Sequence, residues 1–240
     1  IAKKLLSFLP QNNTEDPPEL EHDGNVEDND FLNSIIPDDY RKPYDVRDII
    51  ANVVDDGDFL EVHAGFAANA VVGFGRIVGR SVGVIANQPN FMSGVIDIDA
   101  SDKIARFVRF CNAFNVPLLT FVDTPGYMPG VDQEYNGIIR HGAKVLFAYS
   151  AATVPKVTVV LRKAFGGAFI AMCSRALGAD RVFAWPSAEI AVMGAEGAAG
   201  IVFRKEIAGA DDPESKRQEL IDDYRDTFAN PYVASAHSLV

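Results

Sequence analysis

The sequence predicts an α/β fold in which helices connect parallel strands. The chain has 240 residues, 48% of them hydrophobic, which is enough for one large domain with a buried core. In its second half, short runs with strand character alternate with amphipathic runs of helical length. A helix that joins two strands of one sheet carries the chain back to the starting edge, so this alternation favours parallel strands.

The N-terminal 43 residues differ in composition from the rest of the chain. Residues 1–10 are typical of the end of a helix that stops at Pro10. Residues 11–39 contain ten acidic residues and no lysine or arginine, which predicts a connector with little buried surface. We therefore predict a helix end and acidic connector over 1–43 and one domain over 44–240. An acidic docking strip is the alternative function of the connector.

The domain is predicted to open with a helix and three strands. Asp45 can cap a helix over residues 46–54, in which apolar residues recur at helical spacing. The runs FLEVH, AVVGFGRIVG and SVGVIANQP have strand character, and the VGR before Ser81 indicates a hairpin turn. Residues 101–114 follow as an amphipathic helix that Ser101 can cap.

The remaining elements alternate between strand and helix. The strand PLLTFVDTPG precedes a helix over Ile138–Ala151, and the strand VPKVTVVL precedes a helix with the sequence GGAFIAMCSRAL. RVFAW is a further strand, and AEIAVMG is a short strand or turn. The charged segment from about residue 212 to 236 is predicted to be helical.

Charge and composition argue against several classes of protein. A net charge of -11 and a pI of about 4.8 argue against a general nucleic-acid binder. Since no apolar run reaches about 20 residues, we expect no membrane partner and a soluble protein of the cytoplasm, or of the mitochondrial matrix in a eukaryote. Cys111 and Cys173 stand far apart in apolar surroundings, which predicts buried thiols. No metal site is predicted.

The stretch RKAFGGAFIAM places two glycines between a predicted strand and a predicted helix. The first N–H groups of a helix have no partner within it, so this turn can bind an anion or an oxygen that becomes negative during a reaction. Close packing of strand and helix is the alternative. The stretch lacks the glycine patterns of nucleotide-binding loops, so the pattern alone leaves both interpretations open.

Several long segments resemble the carboxyltransferase (β) subunit of biotin-dependent acyl-CoA carboxylases, of the propionyl-CoA/acetyl-CoA carboxylase type. They are RKAFGGAFIAM, FVDTPGYMPGVDQEYNGIIRHGAKVLFAYSAATVPKVTVV and FAWPSAEIAVMGAEGAAGI, with VGFGRIVGRSVGVIANQP and RFVRFCNAFNVPLLTF extending the resemblance. The resemblance covers nearly everything from Tyr44 onward. It implies a crotonase-like fold of the ClpP/crotonase superfamily, with stacked ββα units. It also implies that this chain is the C-terminal half of a subunit whose N-terminal half binds most of the acyl-CoA.

The function implied by the resemblance is carboxyl transfer from carboxybiotin on a carrier protein to the α carbon of propionyl-CoA or acetyl-CoA. The implied cofactor is biotin, and the implied partners are a biotin carboxylase and a biotin carboxyl carrier subunit. Oligomerisation is also implied, commonly as a hexamer, with each active site formed across a dimer interface. The alternatives are a subunit of a biotin-dependent decarboxylase or transcarboxylase, and a non-catalytic domain that binds the carrier.

The resemblance assigns the chemistry to backbone groups. Gly167 and Ala168 match the family's oxyanion hole for the biotin ureido oxygen, and Gly166 joins them as a biotin-binding residue. In the family the freed biotin takes the α-proton, so no side-chain nucleophile is required. Ile170 stands at a position that lines the family's acyl pocket, where propionyl-type relatives often carry Asp. Tyr127 belongs to a loop suited to line the same pocket.

Two other side chains have competing interpretations. His141 follows an arginine on a predicted helix and could serve as a base, but a helix-surface or capping role is favoured because the family chemistry uses biotin itself. Asp123 ends a predicted strand, where functional groups often lie in α/β folds. Stabilisation of the following turn and shaping of the pocket are equally consistent with its position.

Overall fold

A seven-stranded mixed sheet lies at the centre of the described residues, which are 1–24, 29–37 and 39–240 of a computed structural model. Its strands are β1 (Leu60–Val62), β2 (Ala70–Ile77), β3 (Arg80–Asn87), β4 (Leu118–Thr124), β5 (Lys156–Phe165), β6 (Arg181–Ala184) and β7 (Glu189–Ala191). Strands β1 to β6 lie side by side in chain order. The last strand, β7, pairs with the carboxyl end of β5.

Strand direction changes across the sheet. Strands β1, β2 and β3 are antiparallel, whereas β3, β4, β5 and β6 run parallel, as does β7 beside β5. In the β2–β3 turn, Val78 and Gly79 have φ angles of 52° and 77°. Two consecutive positive φ angles in a two-residue loop are the geometry of a type I′ hairpin. The predicted hairpin and the predicted parallel strands are therefore confirmed.

Helices cover both faces of this sheet. The described α-helices are α1 (Ala2–Leu6), α2 (Val46–Val53), α3 (Ile98–Ala113), α4 (Val131–Tyr135), α5 (Ile138–Ala151), α6 (Gly166–Ala171), α7 (Ala195–Val202), α8 (Arg204–Ala208), α9 (Pro213–Phe228) and α10 (Pro231–Ala236). Helices α3 and α5 pack on one face and α2 on the other. No helix in the described part of the chain is long and apolar enough to cross a membrane.

The core has two layers because successive residues of a strand point to opposite faces. Val72 of β2 belongs to the layer formed with α3 and α5, where Ile104 and Tyr149 are fully buried. Its neighbour Val71 belongs to the layer beneath α2, where Ile50 is fully buried. Strands covered on both faces are expected in the parallel part of such a sheet.

Helix α3 begins earlier than predicted. Asp97, not Ser101, is its N-cap, and the Asp97 carboxylate accepts a hydrogen bond from the Ala100 amide at 2.8 Å. The Ser101 hydroxyl instead donates to the Asp97 carbonyl at 2.7 Å from within the first turn. An aspartate has the same capping chemistry as a serine, so the sequence allowed either start.

The predicted helix over GGAFIAMCSRAL is much shorter than expected, and the strand before it is longer. Strand β5 continues to Phe165 because its last residues pair with β7. Helix α6 then ends at Ala171, and Cys173 has a positive φ of 57°, which a helix does not contain. The Cys173 carbonyl accepts a hydrogen bond from the Thr158 hydroxyl at 2.7 Å, which holds the chain against β5.

The N-terminal segment contacts the domain at several points. Phe8 is fully buried and stacks on Phe74 with ring centroids 5.9 Å apart. The Leu20 amide donates to the Gly79 carbonyl at 3.0 Å. Glu27, Asp28 and Asp38 of the acidic connector lie outside the described residues. The domain boundary after residue 43 stays a prediction.

Both cysteines are buried free thiols, as predicted. Burial raises the pKa of the Cys111 thiol far above its usual range, and it raises the pKa of Cys173 to about 11. Since the thiolate is the nucleophilic form, both groups are held in the unreactive state at neutral pH.

Candidate functional site

The candidate site begins where β5 passes directly into α6. Gly166 adopts a left-handed conformation with a φ of 55°, and a Cβ there would lie 3.0 Å from the Val192 carbonyl oxygen. This position therefore favours glycine on both conformational and steric grounds. At Gly167, by contrast, no heavy atom lies within 4 Å of where a Cβ would stand. The backbone at Gly167 is thus open to a ligand.

The first turn of α6 contains the N–H groups of Gly167 and Ala168. N–H groups in the first turn of a helix have no partner within it. Within the described residues, neither N–H donates to a backbone or side-chain acceptor. The Ala168 side chain is fully buried in the core, which fixes the peptide plane beside it. Gly167 is exposed whereas Ala168 is fully buried, so the Gly167 backbone is the accessible part of this turn.

A cavity of about 500 Å³ lies next to Gly167. Its walls come from the loop after β4, from α4 and from α5. The residues that line it are Tyr127, Met128, Pro129, Glu134, Ile138, Ile139, Gly142, Ala143, Leu146 and Gly167. The wall is mostly apolar, with one carboxylate, so it suits an uncharged organic group better than a highly charged one.

Tyr127 forms one wall of the cavity and is positioned by Gly142. A Cβ on Gly142 would lie 2.9 Å from the Tyr127 Cε1 atom and 3.1 Å from its Oη atom. The bare α5 backbone therefore makes the space that the ring occupies. Burial raises the pKa of Tyr127 to about 12, so its hydroxyl stays protonated at neutral pH.

The structure brings together some of the predicted site residues and separates others. Gly167 and Tyr127 line the same cavity. Gly166 and Ala168 flank Gly167, but neither lines the cavity. Ile170 is on the same helix but does not line this cavity, and its side chain is 44% exposed on the protein surface.

Asp123 lies in a buried polar cluster that sequence reasoning did not identify. Its carboxylate is fully buried and accepts hydrogen bonds from the Tyr44 hydroxyl at 2.8 Å, Arg162 Nε at 3.0 Å and the Lys163 amide at 3.1 Å. Burial raises the pKa of Asp123, and the Arg162 guanidinium opposes that rise. The cluster joins β4, β5 and the start of the domain, whereas the turn after β4 is held by Thr124 and Gly126.

His141 lies outside the cavity in an ion cluster between α3 and α5. Its Nδ1 atom is 2.9 Å from Asp102 Oδ2, and Lys144 Nζ is 2.7 Å from Asp102 Oδ1. Partial burial acts to raise the pKa of Asp102, but hydrogen bonds from Lys144 and His141 outweigh it and hold that pKa below its usual value. This arrangement agrees with the helix-surface role favoured for His141.

Among the side chains that the structure describes, no three His, Cys, Asp or Glu residues lie close enough to hold a metal ion.

Comparison with known proteins matches the whole chain, residues 1–240, to the family described as the carboxyl transferase domain. The methylmalonyl-CoA carboxyltransferase 12S subunit of Propionibacterium freudenreichii subsp. shermanii is 63% identical over 240 residues, which is 100% of this chain and 46% of that protein. A crystal structure of transcarboxylase 12S, described as a hexamer assembly with methylmalonyl-coenzyme A bound, has a TM-score of 0.94. It is 63% identical, and the match covers 100% of this chain and 46% of that one.

Two further relatives carry different names for related activities. The carboxyltransferase subunit of propionyl-CoA carboxylase from Haloferax mediterranei is 57% identical over 239 residues, covering 99% of this chain and 46% of that protein. Subunit alpha of methylmalonyl-CoA decarboxylase from Propionigenium modestum is 54% identical over 240 residues, again covering 99% and 46%. The chain therefore spans about half the length of the curated relatives it matches.

Proposed function

The chain belongs to the carboxyl transferase domain family, and we propose that it carries the carboxybiotin-receiving part of a larger subunit's active site. The proposed reaction is carboxyl transfer from carboxybiotin on a carrier protein to the α carbon of propionyl-CoA or acetyl-CoA. The family and the crotonase-like fold that the motifs predicted are both confirmed. Because the chain matches only 46% of its relatives' length, the activity is proposed for the longer subunit.

The open backbone at Gly167 is the observation that carries this proposal. A ring carrying a ureido oxygen needs a wall without a side chain and donors aimed at that oxygen. Gly167 offers unfilled space where a Cβ would be, and it lines a mostly apolar cavity of about 500 Å³. The residues present therefore fit biotin. When bound, carboxybiotin supplies the activated carboxyl group for transfer.

The chain's own groups would stabilise charge and exclude water. The N–H groups of Gly167 and Ala168 would donate to the ureido oxygen as it becomes more negative. Each such donor contributes about 2.7–4 kcal/mol of transition-state stabilisation in characterised oxyanion holes. Tyr127 and the apolar wall of α5 would keep bulk water from the reacting groups, which strengthens those hydrogen bonds.

Substrate choice is proposed to depend on Tyr127 and Ile170. Tyr127 narrows the cavity from one side. Ile170 lies on the exposed side of α6, so we propose that it contacts the acyl group where another protein segment covers that surface. One or two methylene groups change binding in an apolar pocket by about 1–3 kcal/mol. Propionyl-CoA and acetyl-CoA are thus both within the range that such a pocket accepts.

The proposed partners are a biotin carboxylase and a biotin carboxyl carrier subunit. A homo-oligomer of the full subunit is also proposed. One relative with a solved structure, transcarboxylase 12S, is described as a hexamer assembly.

Bicarbonate fixation by the full-length subunit with its biotinylated partner tests the proposal. Acetyl-, propionyl- and butyryl-CoA would be compared, with the Ile170→Asp variant alongside. We expect ATP-dependent carboxylation, with the ratio of kcat/KM values among the three substrates changed in Ile170→Asp. Biotin-dependent loss of CO2 from a carboxyacyl-CoA without any fixation would assign a decarboxylase instead. Carrier binding without turnover in the full-length subunit would assign a non-catalytic domain.

A further inference from the structure

A second cavity, of about 260 Å³, lies where the end of the acidic connector meets β3 and β5. It shares no lining residue with the cavity beside Gly167. The residues that line it are Arg41, Pro43, Pro89, Asn90, Met92, Ser93, Arg162 and Lys163. Three of these side chains are cationic and none is a carboxylate. In a chain with a net charge of -11, this is a local concentration of positive charge.

Lys163 is the most informative of the three cations. Its side chain is only 9% exposed, and its ammonium lies 4.1 Å from the centre of the Tyr40 ring. Within the described residues, Lys163 Nζ donates no hydrogen bond and lies within ion-pair distance of no carboxylate. Burial and the neighbouring Arg162 lower the pKa of Lys163, and the carboxylates of Asp123, Glu189 and Glu196, all beyond ion-pair distance, act in the opposite direction. The Tyr40 ring compensates only part of the cost of burying an ammonium that donates no hydrogen bond, and an anion in the cavity would add a direct partner.

Arg162 is held rigidly beside Lys163. Its Nε atom donates to the buried Asp123 carboxylate at 3.0 Å, and its Nη1 atom donates to the Lys42 carbonyl at 2.9 Å. In the described part of the chain, Nη2 has no hydrogen-bonded acceptor. A guanidinium fixed on one side with donors left on the other is well suited to an oxyanion, because little side-chain freedom is lost on binding.

We propose that this cavity is a binding site for a small oxyanion of the phosphate type, held by Arg41, Arg162 and Lys163. Asn90 and Ser93 add polar groups to the wall. A volume of about 260 Å³ holds a phosphate group with several waters, since each water occupies about 30 Å³. The site shares no lining residue with the cavity beside Gly167, and its test measures phosphate binding.

Isothermal titration of the full-length subunit with inorganic phosphate, at constant ionic strength, tests the site. The variants are Lys163→Met, which keeps an apolar stem in the buried position, and Arg41→Gln, which changes an exposed residue. The matched control is Lys42→Gln, because Lys42 is an exposed neighbour that does not line the cavity. Constant ionic strength separates specific binding from general screening.

We expect saturable phosphate binding that weakens about tenfold or more in Lys163→Met and in Arg41→Gln, as charged hydrogen bonds of this kind are lost. Lys42→Gln should bind like the unchanged subunit. Absence of saturable binding in the unchanged subunit would overturn the proposal, as would equal affinity in all three variants. A second titration, with coenzyme A present, identifies the source of the phosphate. If coenzyme A competes with inorganic phosphate, the site binds a cofactor phosphate. Phosphate binding without competition supports the site for a free phosphate.

Discussion

A methyl group at position 167 should have opposite effects on the stability of the protein and on its activity. Alanine stabilises a helical backbone more than glycine does, and no heavy atom lies within 4 Å of where a Cβ would stand at position 167. Gly167→Ala should therefore raise the free energy of unfolding by about 0.4–1 kcal/mol. The same methyl would project into the space where the proposed ligand lies. We expect kcat/KM for carboxyl transfer to fall about 100-fold, because displacement of an aligned group by about 1 Å has that effect.

Gly197→Ala is the matched control for this change. Gly197 is also an exposed glycine in the first turn of a helix, with no atom within 4 Å of a Cβ position, and it does not line the cavity. It should gain similar stability and keep its activity. Denaturant unfolding and steady-state kinetics on the full-length subunit measure both quantities. Unchanged kcat/KM in Gly167→Ala would remove Gly167 from the biotin site.

At the scale of secondary-structure elements, the contact between α5 and the loop after β4 shapes the cavity. Gly142→Ala would place a methyl about 3 Å from the Tyr127 ring, closer than ordinary contact. We expect a loss of about 1–3 kcal/mol in the free energy of unfolding, which is typical of overpacking. In a Tyr127→Ala background the clash disappears. There the same change should stabilise α5 by up to about 1 kcal/mol, through helix propensity.

This double-mutant cycle distinguishes a steric role from a general effect on the helix. The measurement is urea unfolding of the four proteins, with kcat/KM recorded in parallel. A change of sign between the two backgrounds supports the positioning of Tyr127 by Gly142. Equal destabilisation in both backgrounds would show that Gly142 is needed for another reason, and would separate α5 from the shape of the cavity.

The ends of helices and strands could be predicted where nearby residues determine them. Ends that depend on contacts with distant residues could not be predicted. Helix α5 matches its predicted range, because its amphipathic run is continuous. Helix α6 was predicted twice as long, since the pairing of β5 with β7 and the hydrogen bond from Thr158 are invisible in the local pattern. Within the candidate site, the spacing located the glycine turn between strand and helix, but only the family resemblance proposed a biotin-binding role for it. The partners of Asp123 were missed because Tyr44 lies 79 residues away.

At the scale of the whole molecule, the surface around the candidate cavity is unusually apolar. Val131 and Tyr135 of α4 are 69% and 88% exposed, and Ile139 at the start of α5 is 78% exposed. Contiguous exposed apolar side chains of this size mark protein contact surfaces. Since the chain spans about half of its relatives' length, we expect the rest of the subunit or a second subunit to cover this surface.

A charge placed on that surface should weaken assembly. Tyr135 does not line the cavity, so Tyr135→Glu changes the contact surface without filling the site. We expect the full-length subunit to shift to smaller species in analytical ultracentrifugation and to lose carboxyl transfer in proportion, because an unpaired carboxylate is poorly tolerated in an apolar interface. Val78→Glu is the control: Val78 is also exposed, but it lies in the β2–β3 turn at the amino-terminal end of β3, whereas the cavity lies beyond the carboxyl end of the parallel strand β4. An unchanged oligomer with full activity in Tyr135→Glu would show that this surface is free in the working enzyme, and the site would then be complete without a covering chain.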